Sequence, residues 1–178
     1  MAEILVVLSI IGIATAIAAP RLDSSGRQAS GAAHAAGMTF VAAQRTAVAR
    51  QHDVVVSVDA ANRALRIHLD RDNDGLVNNG ERVRTEPLGA GAVFGRAAAP
   101  AWSVLGSADV KFTGRQGGLP AVTFHRSGSA SEEGGFYVTS ARARAEGLAK
   151  HTHAVMVDRA TGRPSWASYT GGTWKRQF

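Results

Sequence analysis

The sequence predicts an α+β fold, in which a long N-terminal helix precedes a region of antiparallel β-sheet. Three observations support this fold class. Residues Ile4 to Ala19 form a run of sixteen without a charge, and Ser24 to Gln51 carry apolar side chains at helical three- and four-residue steps. Later segments have a period of two and are separated by glycine-rich turns. We therefore divide the chain into an apolar helix segment (1–20), an amphipathic continuation of the helix (21–52) and a β-rich domain (53–178).

The composition is that of a folded chain, and it excludes several kinds of functional site. Hydrophobic residues make up 45% and charged residues 19% of the 178 positions, which excludes a disordered protein. There is no cysteine, so disulfides, thiolate metal sites and cysteine nucleophiles are excluded. The net charge of +6 permits contact with nucleic acid or anionic lipid but indicates neither by itself.

The N-terminal apolar run is best explained as a membrane segment, although its sixteen residues are fewer than the roughly 20 that span a bilayer. A secretory signal peptide would begin with basic residues, whereas the only charge before this run is the acid Glu3. A soluble core helix is the other alternative, and so long a charge-free run rarely suits a globular surface. A carboxylate beside an apolar helix is costly in lipid unless it is neutralised, which singles out Glu3.

The helix is expected to change character at Pro20, because proline removes a backbone hydrogen bond and kinks or loosens a helix. Beyond it, the predicted apolar face consists of Ala33, Ala36, Phe40, Ala43 and Ala47, widened by Ala29, Ala32, Met38, Val41 and Val48. We expect Phe40, Met38 and Val41 to lie in the core. Three glycines, Gly26, Gly31 and Gly37, weaken the helix intrinsically, so packing must hold it.

The period-two segments predict short antiparallel strands. Val54–Asp59 and Ala64–Leu69 are expected to form a hairpin. The further predicted strands are Arg82–Leu88, Val110–Phe112, Ala121–His125, Gly135–Ser140, Ala154–Asp158 and Arg163–Tyr169. The stretch Gly89–Ala101, rich in Gly, Ala and Pro, predicts a loop.

Glu3, the apolar run and Pro20 together resemble the N-terminal segment of type IV pilins and type II secretion pseudopilins. In that family a glutamate and a helix-kinking proline stand seventeen residues apart, as Glu3 and Pro20 do. The resemblance implies that Glu3 is neutralised by the N-terminal amine of a neighbouring subunit and that Pro20 permits bending during assembly. The family's leader peptide and its first mature residue, usually phenylalanine, are missing before Glu3, so we expect a truncated sequence or a late start codon.

Later segments extend the resemblance to the GspH/FimT group of minor pseudopilins and minor pilins. They are Phe40 with Arg45 and Ala47 before a valine-rich hairpin, Val122–Ser129, Gly135–Val138, Ala154–Asp158 and Thr161-Gly162-Arg163. The resemblance implies a structural subunit of a secretion pseudopilus or type IV pilus, at its tip or initiation, rather than an enzyme. It implies other pilins or pseudopilins as partners in a hetero-oligomeric filament, a single-pass location in the bacterial inner membrane with a periplasmic domain, no small-molecule substrate and no required cofactor.

A twelve-residue acidic segment matches the calcium-loop pattern D-x-[DN]-x-[DN]-G-x5-E without exception. The expected ligands are Asp70, Asp72, Asp74, the Leu76 carbonyl, Asn78 and a bidentate Glu81, with Gly75 permitting the sharp turn. The flanking segments are predicted strands rather than the helices of an EF-hand. A solvated, metal-free hairpin loop is the alternative.

Histidines and serines offer no catalytic set. His68, His125, His151 and His153 are expected to be solvent-facing or in loops, because the chain has no cysteine for a thiolate site and no acidic cluster lies near His151 and His153. Ser127-Gly128-Ser129 lacks the G-x-S-x-G frame of a nucleophile elbow. The sequence therefore predicts no enzyme.

The last segment, Ala141 to Phe178, is basic, with seven basic and two acidic residues. Four aromatic residues, Trp166, Tyr169, Trp174 and Phe178, interleave with the bases. Bases contact phosphates and aromatics stack on nucleobases, so Arg163, Lys175 and Arg176 are candidate DNA contacts. DNA-binding minor pilins resemble this arrangement. The alternative is a solvated basic face whose aromatics complete the core or a subunit interface.

Overall fold

The computed structural model describes Ile4, residues 6–12 and residues 24–177. Ile4 and residues 6–12 are helical. Glu3, Pro20 with its predicted kink, and Phe178 lie outside the described residues. Within the described parts of the chain, no helix combines the length and the apolarity needed to cross a membrane.

Helix α1 spans Ser25–Arg50 and confirms the predicted amphipathic helix. All five residues of the predicted central face are buried, from Ala33 to Ala47, and Ala29 and Ala32 are buried with them. The expectation that Met38 lies in the core is wrong: its side chain is 48% exposed, and Val48 is 43% exposed. Both residues lie at the margin of the apolar stripe, where the helix surface turns away from the sheets.

The described residues after α1 form eleven strands and one further short α-helix. The strands are β1 Asp53–Asp59, β2 Ala64–Asp70, β3 Arg82–Pro87, β4 Ala92–Phe94, β5 Val110–Lys111, β6 Arg115–Gln116, β7 Leu119–Phe124, β8 Gly134–Ser140, β9 His153–Val157, β10 Pro164–Tyr169 and β11 Trp174–Gln177. Helix α2 is Ala141–Glu146, and Ala149–His151 is a 3₁₀ turn. All the predicted strands are confirmed, with ends shifted by at most two residues.

The strands form two antiparallel sheets. Sheet 1 has the order β3-β2-β1-β7-β6, and sheet 2 has the order β11-β10-β9-β8-β4 with β5 also paired to β8. The β1–β2 hairpin pairs Asp59 with Ala64 and Val54 with Leu69, which confirms the predicted hairpin. The fold class is therefore α+β, with an N-terminal helix followed by antiparallel sheets.

One side of α1 packs against β1 of sheet 1 and against β8, β9 and β10 of sheet 2. Phe40, fully buried, lies at the centre of this contact. Its ring makes edge contacts with Phe124 of sheet 1 at 5.6 Å and Phe136 of sheet 2 at 5.5 Å between centroids. The helix thus joins two sheets whose apolar faces would otherwise be exposed.

The predicted loop Gly89–Ala101 is wrong in part, because Ala92–Phe94 forms strand β4. Three residues are too few for a recognisable period, and pairing with β8 makes them a strand. Strand β11 and helix α2 were not predicted. Ser140 caps the N-terminus of helix α2, because its side-chain oxygen accepts a 3.0 Å hydrogen bond from the Ala143 backbone N–H.

Candidate functional site

The acidic segment forms the connection between β2 and β3, so the prediction of flanking strands is confirmed. Carboxylate oxygens of Asp70, Asp72 and Asp74 lie within 4.8 Å of one another. Asp70 is buried, and its carboxylate accepts hydrogen bonds from the backbone N–H groups of Gly75 at 2.7 Å and Asp74 at 3.2 Å. Burial raises the pKa of Asp70 above its ordinary value. Gly75 has φ +77°, a conformation that favours glycine, so the loop needs it.

Two of the other predicted ligands, Asn78 and Glu81, differ in their position relative to the three aspartate carboxylates. Asn78 Nδ2 donates to Asp72 at 3.0 Å and to Asp74 at 2.8 Å, so its amide lies against the carboxylate cluster. Glu81 lies apart from that cluster. Its carboxylate accepts hydrogen bonds from the backbone N–H groups of Asn78 at 2.8 Å and Arg71 at 2.7 Å, and Glu81 Oε2 lies 2.8 Å from His68 Nε2. These bonds, the backbone ones first, lower the pKa of Glu81 to about 2.

The loop geometry suits a hard cation in part. The carboxylates of Asp70, Asp72 and Asp74 supply the oxygen ligands that Ca²⁺ prefers. Glu81 instead forms hydrogen bonds with the loop backbone and with His68 at the base of the hairpin. The Leu76 backbone N–H donates to Asp74 at 2.7 Å, which keeps the turn tight at the seventh loop position. Calcium binding at Asp70, Asp72, Asp74, Leu76, Asn78 and Glu81 stays a prediction.

Calcium is expected to raise the melting temperature of the chain, since a ligand that binds only the folded state stabilises it by about 1.4 kcal/mol per tenfold excess over Kd. The variant Asp72→Asn/Asp74→Asn should lose this effect, because it removes two of the three carboxylates. Thermal unfolding with calcium and with chelator measures both. The control Glu133→Gln/Glu146→Gln removes the same charge at exposed positions away from the loop. An equal calcium shift in the two variants would argue against the site.

His68 corrects the expectation of exposed or loop histidines: it lies in β2 and is fully buried. Gln116 Nε2 donates to His68 Nδ1 at 2.8 Å, and Ser57 donates to Gln116 Oε1 at 3.2 Å. Since Nδ1 accepts, His68 Nε2 carries the hydrogen and donates to Glu81. The residues therefore form one part-buried chain of hydrogen bonds across sheet 1 to the base of the acidic loop. Sequence analysis missed Gln116, and nothing in its local pattern indicates this role.

The other histidines hold structural contacts. His125 follows β7, and its Nδ1 lies 2.8 Å from Asp53 Oδ2. His151 Nδ1 lies 2.8 Å from the hydroxyl of Ser25 at the start of α1. His153 lies in β9, half-buried, so the expectation of an exposed or loop position is wrong there as well. In the chain that joins Ser57, His68 and Glu81, Gln116 separates the serine from the histidine, so Ser57 is not placed as a nucleophile activated by His68.

The pH dependence of stability is expected to carry a contribution from His153. Burial, and then the nearby charge of His151, lower the pKa of His153 below its ordinary value. Between that lowered pKa and about 6.5 the unfolded chain binds more protons than the folded one, so stability falls as the pH falls through this range. The variant His153→Gln should lose less stability on acidification below about pH 6.5, as measured by urea unfolding. An identical loss in the wild type and the variant would contradict this.

The three basic residues predicted to contact DNA lie in or next to β10 and β11, the last two strands of sheet 2. Arg163 precedes β10, whereas Lys175 and Arg176 lie in β11 opposite Ser168 and Ala167. Successive residues of a strand point to opposite faces, so Lys175 and Arg176 do not share one. The guanidinium of Arg176 lies 5.4 Å from the centroid of the Trp102 ring.

The aromatic residues of this region pack within the protein. Trp102 and Trp174 stack at 5.7 Å between centroids, and Trp174 also contacts Tyr137 at 5.5 Å and Tyr169 at 5.6 Å. Trp166 lies against α1, and its Nε1 donates to the Ala33 carbonyl at 3.2 Å. These rings pack on sheet 2 within the protein. This packing agrees with the alternative given by the sequence, in which the aromatic residues complete the core.

Comparison with known proteins gives a weak structural likeness. No protein-family model and no curated protein matches the chain. Two structures of the minor pseudopilin EpsH from the type II secretion system of Vibrio cholerae resemble it. One has 11% identity and a TM-score of 0.46 over 84% of this chain and 96% of EpsH. The other has 13% identity and a TM-score of 0.40 over 84% and 93%. With scores this low, the likeness does not place the chain in a family.

Proposed function

We propose that the chain is a structural subunit of a pilin-like filament, a minor pseudopilin or minor pilin of the GspH/FimT type. The observation that carries the proposal is the apolar helical stretch at the start of the chain. Its described large apolar side chains are all more than half exposed, between 54% and 63%: Ile4, Val6, Val7, Leu8, Ile10 and Ile11. A contiguous apolar surface of this kind marks a site of contact with protein or membrane. The lipid bilayer before assembly, and neighbouring helices in a filament afterwards, would both shield it from water.

The spacing of Glu3 and Pro20 in the sequence supports the same proposal. In the filament, Glu3 is neutralised by the N-terminal amine of an adjacent subunit, which sets the register of the helices. The β-rich domain remains outside the bilayer and selects neighbouring subunits at the tip. The chain acts as a scaffold with other pilins or pseudopilins as its partners, and it needs no cofactor; calcium, if bound, stabilises the β2–β3 loop.

Photocrosslinking in the native cell tests this function. A photoreactive residue in place of exposed Val7 should crosslink to other chains that carry an N-terminal glutamate before an apolar run. Glu3→Gln should weaken that association by about 1 kcal/mol, or about fivefold. The same photoreactive group at exposed Arg126 in the β-rich domain serves as the positional control. Crosslinks from position 7 to lipid alone would contradict the proposal.

The alternative function is DNA binding through Arg163, Lys175 and Arg176. DNA titration at two salt concentrations separates it from a purely structural role. A DNA-binding chain would lose affinity with salt, with a slope of about −0.9 per phosphate neutralised, and the triple glutamine variant would flatten that slope. For a structural subunit we expect equally weak binding by the wild type and the variant. The opposite faces of β11 on which Lys175 and Arg176 lie favour the structural role.

A further inference from the structure

A groove between α1 and the outer part of sheet 1 has no part in the function proposed above. Helix α1 covers β1 but packs little against β2 and β3, so Ile67 on the helix-facing side of β2 is only half-buried. The groove has a volume of about 320 Å³. Its floor consists of Val54, Ile67 and Leu69, which lie side by side on the face of sheet 1 that carries the core.

The side of the groove that α1 forms consists mainly of small side chains. Thr39, Ala42, Ala43 and Thr46 line it, at steps of three and four residues along one face of α1. Their small side chains leave Ile67 partly exposed, whereas Val54 and Leu69 are buried beneath. Ala42 is exposed, whereas Ala43 is buried behind it. The apolar surface open to a partner therefore comes from Ile67 and Ala42.

The rim of the groove is basic. The register pairs Leu69 with Arg82 and Ile67 with Arg84, so both arginines lie on the helix-facing side of β3. Arg50, in the last turn of α1, completes the rim. A neighbouring hollow shares Arg50 and Leu69 with the groove and adds His52 and Arg71 to its lining.

Few of these positive charges are neutralised within the chain. Glu86 contacts Arg84 and accepts a hydrogen bond from the Thr39 hydroxyl, so one rim charge is balanced. Among residues 24–177, no carboxylate forms an ion pair with Arg50 or Arg82, and both residues are exposed. An apolar floor between uncompensated arginines complements apolar side chains flanked by carboxylates.

We propose that this groove docks an acidic amphipathic segment of another protein, with apolar side chains on Ile67 and Ala42 and carboxylates on Arg50 and Arg82. The recessed floor fits inserted side chains better than the flat surface of a membrane, and an apolar floor does not suit a phosphate backbone. The segment would belong to a neighbouring subunit if the chain is part of a filament; that attribution alone rests on the proposed function.

Titration of the full chain with designed peptides tests the docking site. The probe is a synthetic amphipathic helix with leucines along one face and glutamates beside them, and its control has glutamine at each glutamate. We expect the glutamate peptide to bind and the glutamine peptide to bind at least about tenfold more weakly. The variant Arg50→Gln/Arg82→Gln should weaken the glutamate peptide by about tenfold and leave the glutamine peptide unchanged.

Matched variants separate docking from general charge and folding effects. Arg45→Gln/Arg126→Gln removes two exposed arginines outside the groove and should leave the affinity within about twofold. Ala42→Phe fills the groove without changing charge and should weaken the glutamate peptide by at least about tenfold, whereas Ala145→Phe on α2 should not. Thermal unfolding of each variant first verifies that it folds.

Three results would overturn the proposal. These are no binding of the glutamate peptide, equal affinity for the two peptides, and equal affinity of the groove and control variants. Binding of phosphatidylglycerol vesicles that depends on Arg50 and Arg82, without peptide binding, would assign the surface to a membrane and reject the peptide site. Since the titration uses purified protein, failure of the filament proposal in cells leaves its outcome unaffected.

Discussion

Replacing Phe40 with alanine is expected to lower the free energy of unfolding by about 3–5 kcal/mol. Phe40 is fully buried where α1 meets both sheets, and its ring contacts Phe112, Phe124 and Phe136 with centroids 5.5 to 6.3 Å away. Deleting the ring removes apolar burial and leaves a cavity that three other aromatic rings cannot fill without moving. Because domains have about 5–15 kcal/mol of stability in total, we expect a large fall in the urea midpoint.

Met38, two residues away on the same helix, supplies the control. Its side chain is 48% exposed, so Met38→Ala should change stability by less than about 0.5 kcal/mol. Phe40→Leu preserves most of the apolar volume and should cost less than Phe40→Ala. If Met38→Ala were as damaging as Phe40→Ala, the assignment of Phe40 rather than Met38 to the core would be wrong.

Replacing Gly37 with alanine is expected to destabilise the protein, although alanine is the better helix former. A Cβ atom at Gly37 would lie 2.3 to 2.4 Å from three atoms of the Trp166 indole, well inside van der Waals contact. The indole cannot retreat freely, since its Nε1 is hydrogen-bonded to the Ala33 carbonyl and its ring packs against the core. We expect a net loss of about 1–3 kcal/mol, because overpacking outweighs a propensity gain of up to about 1 kcal/mol.

Gly31 is a matched control in the same helix. A Cβ atom there meets nothing within 4 Å, so Gly31→Ala should stabilise the protein by about 0.5–1 kcal/mol. The double variant Gly37→Ala/Trp166→Phe should lose less stability than the sum of its single changes, since removing the indole removes the collision. Opposite signs for Gly37→Ala and Gly31→Ala in chemical unfolding are the decisive result.

The candidate sites were predictable to different degrees. Every calcium-loop residue follows from a contiguous pattern, and the structure brings Asp70, Asp72 and Asp74 together as that pattern requires. The position of Glu81 did not follow, because His68 and the loop backbone hold its carboxylate. The basic groove was not predicted either. Arg82 and Arg84 alternate in a strand, but Arg50 joins them only because α1 ends beside β2 and β3.

The sequence by itself determined the α+β class, the extent of α1 and most strands, because helical and period-two patterns are local properties of the chain. It also determined the apolar N-terminal run and the acidic loop. Tertiary structure alone decided that Met38 lies outside the core, that Gly37 admits the Trp166 indole, and that β4 and β11 are strands. Each of these depends on which residue a distant segment brings into contact, and local periodicity carries no information about such partners.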